Sequence, residues 1–433
     1  MNAPQKLPTL IAKAYHYWRA TGTTALIQRV LEYQQVEAMR KSTLAAKPPS
    51  NELAAILHNR FRGLTPISLF AAEADAPRIT VITDSISKGS LFGGVGTSLV
   101  LGAIAAERIG ARLRIVTRTE PPDTAALAAV LTANRVKFAG KTEFLFIPPD
   151  SADQMPVHNL DRFITTSWWT TEAARYIPRQ QLFYLLQEDE RAFYPAGDDY
   201  LRCSNILHDE SISLLVNSRL LFDHLAQDMT NINLRGSYFE PAFPSHLFYP
   251  EPRAEAVKRT LFFYARPNNP RNLFYVGCEV IQEALSSGIL PKDEWRLLLC
   301  GKDIPAISFS PSIDVEVKEN LRWDEYASFV RRADVGLSLM LTPHPSYPPL
   351  DLAASGAVVV TNSFSVKQDL DFYSRNILVA DPSLPALVET LKKAVSLAAD
   401  RQTRDRNHRD HNIQSNWTIS LASVVDRIAG TFA

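Results

Sequence analysis

The sequence predicts an α/β protein built from two doubly wound parallel sheets, and three observations predict it. Short apolar or β-branched runs alternate with amphipathic segments over most of the chain, the pattern of strand–helix–strand units. The alternation breaks at EPAFPSHLFYPEPRAE, around residues 240–256, and then restarts. Its first turn runs from a strand, RITVITDS, into a helix opened by glycines, GGVGTSLVLGAIAAERIG. The 433 residues suit two domains of about 100–200 residues each with an appendage.

Residues 1–70 read as a helical appendage. Leu7, Leu10, Ile11, Ala14, Tyr17 and Trp18 recur at three- and four-residue steps and so share one helix face. Thr23 or Thr24 caps a second helix carrying Leu26, Ile27, Val30 and Leu31. KPPSNE is a proline break, and ELAAILHNRF is a further short helix. Lysines and arginines outnumber acids over residues 1–50. Such a surface packs its apolar face on the protein body or meets anionic lipid head groups. Both readings stay open; the second gives peripheral membrane contact at the inner face of the cell membrane.

The N-terminal α/β domain spans 71–250. After the glycine turn, ARLRIVTRTE, KTEFLFIPP, RFITTSWW, QLFYLLQ and ISLLVNS are its further strands, with helix-like segments between several of them. The proline-rich stretch reads as a linker. The C-terminal α/β domain spans 251–415. Its strands are TLFFYARP, EWRLLLCGKD, IDVEVKE, DVGLSLML, AVVVTNS and NILVAD. Its helices are NPRNLFYVGCEVIQEAL, EYASFVRRA, PPLDLAASG and LPALVETLKKAVSLA. Residues 416–433, with NWTISLASVVDRIAG, form a final amphipathic helix.

Composition excludes several classes. Lys+Arg and Asp+Glu are equal at 46 each, so the whole chain has no charge excess to attract nucleic acid. Apolar residues at 46% and charged residues at 21% exclude disorder as the main state. Cys203, Cys278 and Cys300 are scattered, which fits a reducing cytoplasm and argues against disulfides or a cysteine zinc site. No apolar run reaches about 18 residues, and MNAPQKLPTLIAK lacks an apolar signal core, so neither a membrane span nor export is expected.

Chemistry concentrates in the second domain. YARPNNPRNL puts Arg266 at a strand end and Arg271 near the start of the next helix. Two guanidiniums beside a helix N-terminus suit a diphosphate, because they add paired charged donors to free backbone N–H groups. In LTPHPSYPPLDLAASGAVVVTN, Asp351 lies in the first turn of a helix, where it can accept a ribose hydroxyl or cap the helix. LLLCGKD supplies Gly301, where a nucleotide could approach the backbone, and Lys302, a candidate phosphate contact.

These residues carry a resemblance. The arginine pair, the strand-end glycine and the P-x-L-D-x-x-A-S-G run before a buried valine strand resemble the donor-binding half of GT-B glycosyltransferases, most of all retaining family 4. FFYARPNNPRNLFYVG and GLSLMLTPHPSYPPLDLAASGAVVVTN look like the WsaF-type rhamnosyltransferases of bacterial surface-polysaccharide synthesis. The likeness covers about residues 78–430. It implies two Rossmann-like domains facing a cleft, with the nucleotide sugar held by the C-terminal one and the last helix crossing back to the N-terminal one. It implies a cytoplasmic, metal-independent retaining transferase that moves L-rhamnose from dTDP-L-rhamnose to a glycan or lipid-linked glycan, with no cofactor.

By the same resemblance, Arg266 matches the arginine that binds the diphosphate, and Arg271 stands where family 4 usually has lysine. Asp351 matches the second acid of the E-x7-E motif, which holds the ribose, and Ala354, Ser355 and Gly356 match the small-residue turn after it. The first acid falls at Pro343 and is missing; His344 is adjacent. Gly94 and Gly96 sit across the cleft from the phosphates.

Other readings stay open. Gly94-x-Gly96, with Glu120 ending the next strand, also fits a dinucleotide fingerprint and so an NAD(P)-dependent oxidoreductase, although the third glycine position is Leu99. The missing first acid motivates a non-catalytic sugar-nucleotide-binding module. Trp168 and Trp169 are candidate acceptor-stacking platforms or core residues. Glu188, Asp189 and Glu190 fit an acidic loop on the acceptor side better than a metal-binding triplet. Asp198 and Asp199 read as a solvated turn, and His158 and His208 as structural. The sequence leaves a homodimer open.

Overall fold

The computed structural model describes residues 52–73, 75–87, 93–252 and 258–432. The helices expected over 7–31 and the glycine loop over 88–92 lie outside the described residues. The chain divides into two units, Met1–Arg62 and Gly63–Ala433. In the first, α1 (Glu52–Arg60) is described. In the second, β1 (Leu69–Ala71), expected within the appendage, pairs in parallel with β5 (Met155–Val157). Ile67 is buried beside them and donates its N–H to the Ala173 carbonyl.

The first large sheet has seven parallel strands in the order β4-β3-β2-β6-β7-β8-β9. In chain order they and their helices are β2 (Arg78–Thr83), α2 (Gly94–Ile109), β3 (Arg112–Thr117), α3 (Thr124–Ala133), β4 (Thr142–Phe146), β6 (Asp161–Thr165), α4 (Trp168–Ala173), β7 (Leu182–Leu186), α5 (Asp198–Leu207), β8 (Ser213–Asn217), α6 (Arg219–Leu225) and β9 (Gly236–Phe239). β2, β6 and β7 are buried at every residue, which is why they read as unbroken apolar runs. Local signals set the helices. Asp123 caps α3 by accepting from the Ala125 N–H, and Ser167 and Thr170 form a capping box on α4. Asp198 and Asp199 are no loose turn: they open α5, where a carboxylate favours the helix dipole.

The second large sheet has six parallel strands in the order β12-β11-β10-β13-β14-β15. They and their helices are β10 (Arg259–Ala265), α7 (Phe274–Ser286), β11 (Trp295–Gly301), β12 (Val315–Glu319), α8 (Trp323–Val330), β13 (Val335–Leu337), α9 (Tyr347–Ala354), β14 (Val358–Asn362), β15 (Ile377–Ala380), α10 (Leu384–Ala399) and α11 (Arg401–Arg409). The proline-rich stretch between the sheets is more than a tether. Phe243 and Phe248 are buried against Leu350 and Val359, and the Phe243 N–H donates to the Gln414 carbonyl at 2.6 Å.

The chain then returns to the first sheet. A short turn at Trp417–Ser420 and α12 (Ala422–Ala429) replace the single helix expected there. Trp417, Leu421, Val424 and Ile428 join the core formed by β2, α2 and α3. Trp417 Nε1 donates to Asn134 Oδ1 at 2.8 Å, and Arg162 Nε donates to Thr431 Oγ1 at 2.7 Å. Among the described residues no helix is long and apolar enough to cross a membrane.

Gly301 shows how tightly the second sheet is drawn together. A Cβ there would lie 1.7 Å from the Ala265 carbonyl oxygen, its partner in the β10–β11 register. The glycine therefore has a backbone reason that is independent of any ligand. Gly301→Ala is expected to cost about 3 kcal/mol, at the upper end for overpacking, read as a lowered urea midpoint. An unchanged midpoint would show that β11 can shift to admit the methyl.

Candidate functional site at the sheet crevices

In an open α/β sheet, the crevice outside the strand carboxyl ends opens where the strand order reverses. In the second sheet that point lies between β10 and β13, because β11 and β12 run outward on one side and β14 and β15 on the other. The loops after β10 and β13 are tied there. Leu341 N–H donates to the Arg271 carbonyl at 2.8 Å, and Asn272 Nδ2 donates to the Leu339 carbonyl at 3.3 Å. Arg266 follows β10 directly and is half-buried, hydrogen-bonded to the Tyr264 side chain. Arg271 lies in the short turn Pro270–Asn272, which precedes α7. Both arginines predicted for the diphosphate thus flank one crevice.

Arg271 already has an anion. Its Nη1 lies 3.0 Å from Glu188 Oε2, and its guanidinium covers the Phe193 ring at 4.5 Å. Thr342 Oγ1, from the loop after β13, lies 2.5 and 2.6 Å from the two Glu188 oxygens and donates to them. The sequence reading puts Glu188 in an acidic loop on the acceptor side. It is buried instead, directly after β7, and joins the first sheet to the second. Burial raises its carboxyl above the ordinary range, while Arg271 and Thr342 oppose that rise.

Asp189 departs from the same expectation. Arg191 grips it through two hydrogen bonds of 2.9 and 2.8 Å, and His224 Nε2 lies 3.1 Å away. Burial works against its charge, yet His224 and Arg191 hold the carboxyl below the usual range. Glu190 turns elsewhere, accepting from the Trp168 N–H at 2.9 Å, and burial pushes it up to about 8. The three acids therefore diverge to three sets of partners. Among the described residues no group of three His, Cys, Asp or Glu side chains is placed to hold a metal ion.

Asp351 is buried on α9, where Tyr326 donates to its Oδ2 at 3.1 Å. Burial keeps it protonated well above the ordinary carboxylate range. Burial raises the Tyr264 hydroxyl above its ordinary value, and the Arg266 guanidinium opposes that rise. Ser355 Oγ is buried with no hydrogen-bond partner, and Gly356 has φ +83°, a conformation glycine adopts without strain. Lys302 is exposed beyond the end of β11.

On the first sheet the reversal lies between β2 and β6. Trp168 is closed inside the core, 3% exposed, with Nε1 donating to Tyr194 Oη; it is not an acceptor platform. Trp169 is half-buried at the crevice, and its Nε1 donates to Asp84 Oδ2 at 2.7 Å. Gly94 begins α2 and Gly96 is buried in its first turn. Gln187 Nε2 donates to the Gly94 carbonyl at 2.5 Å. One turn on, Thr97 Oγ1 lies 2.8 Å from Tyr347 Oη at the start of α9, so the glycine-led helix does meet the second sheet's crevice. Ten residues separate β2 from α2, too many for the tight turn of a dinucleotide fingerprint, and Glu120 instead accepts from Ser85.

Two functional candidates escape the sequence. Lys367, in the loop after β14, is fully buried, and its Nζ donates to the Met340 carbonyl at 3.2 Å. Burial lowers its pKa to about 8, with Glu188 opposing. His344 is 4% exposed, and burial and Lys367 push it down to about 3. A lysine in the polar run SFSVKQ carries no mark of burial in the sequence. The only signal for His344 was its place beside Pro343.

Two parallel, doubly wound sheets with their crevices in contact define the GT-B class of glycosyltransferases. Solved structures with this fold include sucrose-phosphate synthase from Thermosynechococcus elongatus, with TM-score 0.55, 14% identity and coverage of 82% of this chain and 99% of that one. WaaG, a glycosyltransferase involved in lipopolysaccharide biosynthesis, gives TM-score 0.53 at 13% identity, covering 82% of this chain and 100% of that one. Anabaena Alr3699/HepE in complex with UDP-glucose gives 0.55 at 12% identity, covering 82% and 99%. The WsaF N-terminal domain family matches residues 78–219 and the WsaF C-terminal domain family residues 259–392. The chain belongs to the WsaF family. It is 28% identical over 356 residues to the O-antigen biosynthesis protein RfbC of Myxococcus xanthus, a match over 80% of this chain and 26% of RfbC, so it spans about a quarter of that relative.

The Arg271–Glu188 pair is testable in the protein without nucleotide. Removing one member of a buried pair leaves the other uncompensated, at about 3 kcal/mol. Arg271→Met and Glu188→Gln are each expected to lower stability, and the double variant to recover about 1–3 kcal/mol of the summed loss in urea unfolding. Strict additivity would show that the contact does not couple the two sheets.

Proposed function

We propose that the chain is a hexosyltransferase of bacterial surface-polysaccharide synthesis that moves L-rhamnose from dTDP-L-rhamnose to a glycan hydroxyl. The observation that carries the reading is the placement of Arg266 and Arg271 around the β10–β13 crevice, where a doubly wound sheet binds its ligand. WsaF family membership and the likeness to an O-antigen biosynthesis protein support the pathway class. The choice of rhamnose rests on the resemblance of the two sequence stretches to WsaF-type enzymes.

In this reading the bond between the sugar C1 and the diphosphate oxygen breaks, and its electron pair stays on that oxygen. The guanidiniums stabilise the charge that develops there. The acceptor hydroxyl oxygen forms the new bond to C1 on the same face, and its proton passes to the leaving phosphate oxygen. This course retains configuration and asks for no strong protein base. Electrostatic stabilisation by the arginines takes the part a divalent ion plays elsewhere.

Arg266 is the cleaner target, because Arg271 also supports the fold. Arg266→Ala is expected to lower turnover of dTDP-L-rhamnose about 10²–10³-fold, followed by dTDP release, with an unchanged circular dichroism spectrum. Full activity in that variant would refute the assignment. Transfer is also expected to persist in EDTA. Loss in EDTA with recovery on adding manganese would overturn the metal-independent course.

A further inference from the structure

The crevice holds hydrogen-bond donors that the protein itself does not satisfy. His344 Nδ1 accepts the Ser346 N–H at 2.9 Å, so Nδ1 carries no proton and the neutral ring holds it on Nε2. That Nε2 is buried and has no hydrogen-bond partner. The ring is fixed: it stacks on Tyr347 with centroids 5.7 Å apart, and the His344 N–H donates to Thr342 Oγ1. A buried donor left unmet costs about 1–3 kcal/mol unless something else meets it.

Lys367 presents the same situation with charge. Its ammonium has three N–H groups, and one is used by the Met340 carbonyl. Met340 and His344 belong to the same loop after β13, and His344 feels the Lys367 charge. Around this point Arg271 and Lys367 face one carboxylate, Glu188, which contacts the arginine. Buried cations are normally paired. The cluster therefore has an excess of positive charge and unused donors at the β10–β13 crevice.

We propose that His344 Nε2–H and Lys367 Nζ are binding donors for the phosphate oxygens of a nucleoside diphosphate, completing the grip begun by Arg266 and Arg271. The inference rests on the proposed nucleotide-sugar reading and adds two residues to it. No bond is made or broken at either side chain. The imidazole gives a neutral, rigid donor and the ammonium a charged one.

The test measures dTDP and inorganic pyrophosphate binding by calorimetry for the full chain and three variants. Lys367→Met keeps the stem and removes the buried charge; it is expected to weaken both ligands about tenfold or more. His344→Phe keeps a ring against Tyr347 and is expected to weaken both about fivefold. Arg266→Ala separates the two claims. If the wild-type chain binds dTDP, and Arg266→Ala loses it while Lys367→Met and His344→Phe keep wild-type affinity, this inference fails and the nucleotide-sugar reading survives. If the wild-type chain binds neither dTDP nor pyrophosphate, both fail. A measurement on the unaltered protein guards against variants that do not fold. With histidine labelled with nitrogen-15, the His344 Nε2–H resonance is expected to move downfield on adding dTDP; a resonance that stays in place overturns the role of His344.

Discussion

The contact between Arg271 and Glu188 is the interaction on which the rest of the site depends. A guanidinium from the turn after β10 meets a carboxylate from the end of β7, and Thr342 from the loop after β13 holds both carboxylate oxygens. Three strand ends from two sheets converge on one buried acid. Desolvation would make either charge alone expensive, so the pair fixes the two halves relative to each other in this state. The same geometry places a negative group next to a cation proposed to receive diphosphate. Glu188 and a phosphate would compete for Arg271.

The fold explains why such a contact arises. In each sheet the strands are parallel, so every strand ends at the same edge, and the loops after β7 and β13 meet there. The reversal of strand order opens a crevice at β2–β6 in one sheet and at β10–β13 in the other. Tyr347, at the start of α9, bridges the two edges: its hydroxyl lies 2.8 Å from both Thr97 Oγ1 and Asn217 Nδ2. The C-terminal segment secures the arrangement from behind, with Trp417 and Leu421 in the core of the first sheet and Ile413 in that of the second.

Much of this was legible in the sequence, and the reason is periodicity. Buried parallel strands write themselves as apolar runs, and RITVIT, LFYLL and VVVTN could hardly be read otherwise. Arg266 and Arg271 were legible because strand end and helix start fix where they stand. The misses share a different cause. Glu188 and Lys367 sit in polar or mixed loops and Trp168 opens a short helix, and in both places sequence gives residue type but not which side chain turns inward. The proline-rich linker misled in the same way: its prolines were visible, but the burial of Phe243 and Phe248 depends on partners a hundred residues away.

The missing acid at Pro343 then takes on a physical meaning. A carboxylate in that loop would stand close to Glu188 and Thr342, adding a second buried negative charge beside the first. Like charges at such range raise each other's pKa and weaken any attraction for phosphate. The loop instead carries a proline, which has no N–H to satisfy, and then a histidine whose neutral form is enforced by burial and by Lys367. Exchanging an acceptor for a donor shifts the loop's preference from sugar hydroxyls, which can donate, toward phosphate oxygens, which only accept. On this argument a proline and a neutral histidine at 343–344 suit an anionic ligand better than a carboxylate would.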